Sequence, residues 1–198
     1  MVLQLYADPC TVNSHKVLAG LGAIGTDYEF NHIDYFAGEQ KSESFKKINP
    51  FATIPALTDG DLVLTESNAI LQYATELAGS KLYPSEFKVR ADINRWLLWE
   101  ASAWFPCCYI YLVEYVVKPL LKARPDQSII DAQAPRFHQL AAGLEAALAK
   151  HRFITGDELS IADIAVAAPM HLWQACRLPL DGYPNITRWW SEISQVPA

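Results

Sequence analysis

Three things are scarce or missing in this 198-residue chain, and each closes off a class of protein. There is no basic surplus: 16 Lys and Arg stand against 22 Asp and Glu, a net charge of −6, and the cations do not gather in blocks. A surface of that sign repels a phosphate backbone, so nucleic acid is not an expected partner. No run reaches the roughly 18 apolar residues of a membrane span, and no basic segment leads into an apolar core with a small-residue cleavage site. The cytosol is therefore the expected compartment, with no membrane partner. Finally, Cys10, Cys107, Cys108 and Cys176 form no C-x-x-C pair and no Cys/His cluster at metal spacing. Two of them are adjacent, a poor geometry for an ordinary disulfide, so neither a metal nor a disulfide framework is expected.

Apolar residues are plentiful at 51%, enough to fill the core of one large domain or two small ones. Residues 1–80 read as mixed α/β. Val2 to Tyr6 is a strand, and Val17, Leu21 and Ile24 recur at i, i+4, i+7 before Gly25, the pattern of a helix with a left-handed cap. Tyr28 to Asp34 alternates as a strand does. Ile54 to Thr58 and Leu62 to Thr65 flank Asp59-Gly60-Asp61, a strong hairpin signal. Ile70, Tyr73, Ala74 and Leu77 then keep helical spacing as far as Gly79. The order β-α-β, linker, β-β-α is thioredoxin-like.

Beyond a linker at Lys81 to Ser85, residues 87–198 read as an all-α domain with helices over Val89 to Val117, Ser128 to Lys150, Ile161 to Leu178 and Thr187 to Ser194. Pro106 is expected to bend the first. Ser160 and Asp163 form a capping box that starts the third.

Three stretches could carry chemistry. Pro9 to Val17, PCTVNSHKV, sets a thiol, two hydroxyls and an amide where a strand hands over to a helix. Ile54-Pro55 interrupts a strand: a trans bond would make an edge, whereas a cis bond would leave the Ile54 N–H and C=O facing outward and unpaired. In TESNA, Thr65 to Ala69, Ser67 and Glu66 fit a simple helix start. They also fit a zwitterion site in which N–H groups and the Ser67 hydroxyl hold a carboxylate while Glu66 holds an ammonium.

Leu5-Tyr6, Val17, NPFATIPAL (Asn49 to Leu57) and LTESNAI (Leu64 to Ile70) together resemble the glutathione-binding domain of the cytosolic glutathione S-transferases. RWLLWEA (Arg95 to Ala101), Pro106, VKPL (Val117 to Leu120), the capping box and YPNITRWW (Tyr183 to Trp190) are similar to the phi class, so the likeness spans nearly the whole chain. It implies a thioredoxin-like domain plus an all-α domain, a homodimer, and conjugation of glutathione, as co-substrate, to hydrophobic electrophiles. It implies a cis bond before Pro55, Ile54 pairing with the cysteinyl part of glutathione, Glu66 and Ser67 holding its γ-glutamyl end, and Gln40 and Lys41 meeting its glycine carboxylate. Ala52-Thr53 replaces the family's Gly-Lys or Gly-Gln, so a long polar side chain is lost from the site and a lower glutathione affinity is expected. The chain stops at Val196-Pro197-Ala198, where such proteins usually run on for another turn, which implies a clipped end.

The resemblance also narrows the opening stretch. Counting back from Val17, Thr11 falls at the phi-class catalytic Ser, and Thr11-Val12-Asn13 is similar to the Thr-x-Asn of nu-class members, with Asn13 assisting at the sulfur. Cys10 is the rival, since CTVNSH also resembles the beta-class segment whose Cys forms a mixed disulfide with glutathione. A helix N-terminus is expected to lower that thiol's pKa. The use of Cys10 implies disulfide or peroxide reduction instead, and the Ala52-Thr53 departure keeps open a non-catalytic glutathione-binding module. Trp104 and Phe105, in an aromatic stretch with Tyr109 and Tyr111, are the expected lining of the electrophile pocket.

Overall fold

The computed structural model describes residues 2–195; the clipped end read at Val196 to Ala198 lies outside them. The chain divides into two compact units, the first running to Pro84 and the second from Ser85. Among the described residues no helix is long and apolar enough to cross a membrane.

The first unit is built from β1 (Leu3–Ala7), α1 (Val12–Ile24), β2 (Tyr28–His32), the short helix α2 (Glu43–Lys46), β3 (Ala56–Asp59), β4 (Leu62–Leu64) and α3 (Ser67–Leu77). The sheet order is β2-β1-β3-β4, with β2 parallel to β1 and the other neighbours antiparallel. This is the expected thioredoxin-like order. Gly25 ends α1 at φ 73°, returning its N–H to the Leu21 and Gly22 carbonyls. Gly20 lies where α1 packs on α3, and a Cβ there would collide with Leu71. Leu3, Leu5, Val17, Leu21, Leu57 and Ile70 form the core between sheet and helices.

The second unit is helical. Its first path runs through α4 (Phe87–Trp99), a π-helical turn (Glu100–Trp104), α5 (Phe105–Leu112), a second π turn (Val113–Val117) and α6 (Lys118–Leu120). Each π turn precedes a proline: the Phe105 N–H reaches Glu100 O and the Lys118 N–H reaches Val113 O, five residues back. Proline has no N–H for the carbonyl four residues back and crowds it, so the ladder widens locally. The bend expected at Pro106 thus takes the form of an inserted residue.

α7 (Gln127–Leu148) comes next, then α8 (Ile161–Ala167) and α9 (Pro184–Ile193). The expected helix from Ile161 to Leu178 is corrected: it passes into a 3₁₀ turn at Ala168–Met170 and ends, because Pro169 cannot continue the α ladder. The capping box is present, and its Asp163 carboxylate also accepts from the Ile154 N–H and Trp189 Nε1. Local helix start and long-range packing therefore share one buried group.

Candidate functional site

The carboxyl end of β1 leads into a turn organised by Asp8. This buried carboxylate accepts from the Cys10 N–H at 2.9 Å and the Tyr35 N–H at 3.0 Å, with His32 Nε2 at 3.9 Å. Burial raises its pKa, but the two backbone donors and His32 outweigh that and hold it below the ordinary carboxylate value. One side chain thereby ties the start of α1 to the segment after β2.

Thr11 is the N-cap residue of α1, in extended conformation. Its Oγ1 donates within reach of Ser14 Oγ (2.7 Å) and Asp8 O (3.1 Å). Cys10 is the exposed cysteine of the four. Its expected low pKa is corrected: partial desolvation, then the Asp8 carboxylate, then Asp34, push the thiol up.

Ile54-Pro55 is cis. Ladder pairing of β3 begins at Ala56 opposite Tyr6, so the Ile54 N–H and C=O take no part in it. The preceding loop is held by Asn49, fully buried, whose Nδ2 donates to Thr53 O and Thr53 Oγ1 while its Oδ1 accepts from the Phe51 N–H. Ala52 sits at φ 54° and Glu66 at φ 67°, a left-handed region that non-glycine residues rarely occupy.

Glu66, not Ser67, is the N-cap residue of α3. Ser67 is the first helical residue; its Oγ accepts from Lys16 Nζ (3.1 Å) and donates to Asn13 Oδ1 (3.3 Å). The hydroxyl proton is directed at Asn13, while Ser67 itself lies in the lining of a cleft. The N–H groups of the first turn of α3, which the helix's own ladder does not use, suit a ligand carboxylate.

These segments enclose a cleft of about 310 Å³ lined by Asn13, Tyr35, Gln40, Lys41, Ala52, Thr53, Ile54, Pro55, Glu66 and Ser67. Every residue assigned from sequence to glutathione itself is in that lining, and so is Asn13; Thr11 and Cys10 are not. Gln40 is 5% exposed, and its Oε1 is buried without a hydrogen-bond partner. A buried acceptor left unpaired is costly unless a donor completes it. Tyr35 was not anticipated, because Asp8 carries it to the cleft from 27 positions away. The loop role of Asn49 lay inside the NPFATIPAL segment but had no local signature.

Trp104 is corrected outright. Its ring is fully buried, its Nε1 donates to Val166 O at 3.0 Å, and it stacks on Trp99 and packs on Phe137. It is core, not pocket. Phe105, the neighbouring residue, is half-buried and stacked on the exposed Tyr109 at 5.4 Å. Among the described residues no group of three or more His, Cys, Asp or Glu could hold a metal ion.

The family models "Glutathione S-transferase, N-terminal domain" and "Glutathione S-transferase, C-terminal domain" match residues 1–76 and 109–197. Glutathione S-transferase 3 of Zea mays is 34% identical, the match covering 99% of this chain and 90% of that protein. Glutathione S-transferase 1 of Triticum aestivum is 29% identical over 99% of this chain and 91% of its own length. Among solved structures, glutathione transferase F7 from Populus trichocarpa superposes with a TM-score of 0.90 at 30% identity, covering 98% of this chain and 94% of that one. Glutathione S-transferase-I bound with lactoylglutathione gives 0.90 at 29% identity, covering 98% and 95%. With both halves matched and relatives aligned along nearly their full lengths, the chain belongs to the glutathione S-transferase family, as a phi-type transferase.

Proposed function

We propose that this enzyme joins the glutathione sulfur to hydrophobic, flat electrophiles, and that the cleft around Ile54 and Pro55 is where glutathione docks. The observation that carries this reading is the cleft's polar lining, which pairs with the tripeptide end by end. Glu66 meets the γ-glutamyl ammonium, and the N–H groups that open α3 meet its carboxylate. The Ile54 backbone meets the cysteinyl unit. Gln40, through its Nε2, and Lys41 meet the glycine carboxylate, and the unpaired Gln40 Oε1 is left to accept from an N–H of the tripeptide.

In this docking the thiol lies at the amino end of α1. Lowering a thiol pKa from about 8.5 by two units takes about 2.7 kcal/mol of preference for the thiolate. One hydrogen bond to the charged sulfur contributes roughly 1.5–3 kcal/mol, and the helix end adds up to about 2. Thr11 Oγ1, after turning from Ser14, and the Asn13 amide are the donors. The thiol proton leaves to solvent, the sulfur forms a bond to carbon, and the leaving group departs with the electron pair of the bond it gives up. The anions that raise the Cys10 pKa disfavour the reductase alternative.

Phe105, stacked on Tyr109, is the aromatic residue that remains from the sequence reading to meet the electrophile. A homodimer working in the cytosol completes the reading. Wild type, Thr11→Ala and Cys10→Ser are to be assayed for conjugation of a chloronitrobenzene and for disulfide reduction. Conjugation that falls at least tenfold in Thr11→Ala and persists in Cys10→Ser supports the reading. Disulfide reduction lost in Cys10→Ser replaces it with the reductase, and a wild type inert in both assays replaces it with a binding module.

A further inference from the structure

Lys16 is 1% exposed, on the side of α1 that meets α3. An ammonium is rarely buried unless acceptors surround it, and the amino end of a helix, with its positive dipole, is a poor neighbour for a cation. Yet Lys16 Nζ donates to two residues in the first turn of α3, Ser67 Oγ at 3.1 Å and Asn68 Oδ1 at 3.1 Å. These acceptors hold the ammonium directly behind Ser67, a residue of the cleft lining.

The direction of these bonds has a consequence for the cleft. An ammonium only donates, so the Ser67 oxygen is an acceptor towards Lys16, and the single hydroxyl proton must point elsewhere. It points to Asn13 Oδ1 at 3.3 Å. An amide that accepts through Oδ1 turns its Nδ2 hydrogens the other way, and Asn13 lines the cleft. The chain Lys16 to Ser67 to Asn13 therefore has one polarity throughout and ends in amide N–H groups beside the amino end of α1. Thr11 Oγ1, in contrast, has Ser14 Oγ and Asp8 O to donate to.

We propose that Lys16 is a positioning residue for thiolate formation: through Ser67 it fixes the Asn13 amide with Nδ2 aimed at the glutathione sulfur. The inference rests on the docking proposed above. Lys16 touches no reacting atom in it. The other ionisable groups of the cleft, Tyr35, Lys41 and Glu66, are common to wild type and variant and cannot produce a difference between them.

The test titrates bound glutathione by thiolate absorbance near 240 nm in wild type, Lys16→Met, Asn13→Ala and the double variant. Lys16→Met is expected to raise the thiol pKa by about one unit, which appears as about a tenfold loss of kcat/KM at pH 6.5 that closes as pH rises. Calorimetric affinity for a glutathione analogue carrying a methyl group in place of the thiol is expected to change by less than about twofold, because its backbone contacts remain. In the Asn13→Ala background Lys16→Met is expected to add nothing to the shift. A uniform loss of kcat/KM at every pH with the thiol titration unmoved overturns the proposal, as does a full Lys16→Met shift without Asn13. Should Lys16→Met not fold, Ser67→Ala cuts the same relay while keeping the Lys16 bond to Asn68. A raised thiol pKa there supports the proposal, and an unmoved one overturns it. A wild type that binds glutathione without lowering its thiol pKa sinks the docking itself, whereas a normal wild type with an unmoved Lys16→Met sinks only the positioning role.

Discussion

Asn49 Nδ2 donates to the Thr53 carbonyl at 2.7 Å, a bond made inside the first unit by a side chain with no exposure. It closes the loop that presents Thr53, Ile54 and Pro55 to the cleft. Asn49→Ala leaves Thr53 O and the Phe51 N–H without their partner, at a cost of about 2–3 kcal/mol. The expected result is a lower urea midpoint at unchanged slope together with a raised KM for glutathione. An unchanged KM would show that the loop holds its shape without the clamp.

Ala52, at φ 54°, stands in a conformation that costs an L-residue with a Cβ about 1–2 kcal/mol. Glycine removes that cost but gives back about 0.5–1 kcal/mol in unfolded-chain entropy. Ala52→Gly is therefore expected to stabilise the protein by roughly 0.5–1 kcal/mol, the difference between those two effects. Denaturant titration checks this, and a destabilised variant would mean that the Ala52 methyl makes packing contacts worth more than its backbone strain.

Asp8 gives stability a pH dependence whose sign comes from its lowered pKa. The unfolded carboxyl, with its ordinary value of 3.8, binds a proton before the folded one does. Stability from this group is thus fully present above about pH 4 to 5 and is lost as pH falls through the lower folded value. Asp8→Asn is expected to flatten the acid side of the stability profile. Since Asp8 is also among the causes that raise the Cys10 thiol, the same variant should be alkylated faster at Cys10 near pH 8. Equal alkylation rates would leave desolvation and Asp34 as the causes.

Trp104→Phe separates core from pocket. The variant keeps an aromatic ring but loses the indole bond to the Val166 carbonyl and part of the buried ring, a loss of about 1–3 kcal/mol in denaturant unfolding. Conjugation kinetics with a chloronitrobenzene are expected to stay within about twofold, because the ring faces Trp99 and Phe137. A selective change in KM for the electrophile, with stability intact, would return Trp104 to the pocket.

The elements legible in the sequence are those whose signal is local. Gly25 closes α1 because its missing Cβ permits φ 73°, and Gly60 turns the hairpin at φ 61° for the same reason. Asp163 starts α8 through a bond to a residue three positions back. The aromatic stretch assigns Trp104 to the pocket, but composition does not say which ring turns to the core; its place there is set by Val166, Trp99 and Phe137.

The sequence by itself determined the two folding patterns and the order of strands and helices, because periodicity, turns and caps depend on neighbours within a few positions. The polar residues expected to meet a tripeptide are implied by the chain's resemblance to the glutathione S-transferases. Tertiary structure alone decided that Tyr35 joins the cleft, that desolvation and the Asp8 carboxylate raise the Cys10 thiol pKa, and that Lys16 lies behind Ser67 and Asn13. Those relationships link residues up to 54 positions apart. The direction of a proton in a hydrogen bond depends on which groups share it in space, and no local pattern encodes that.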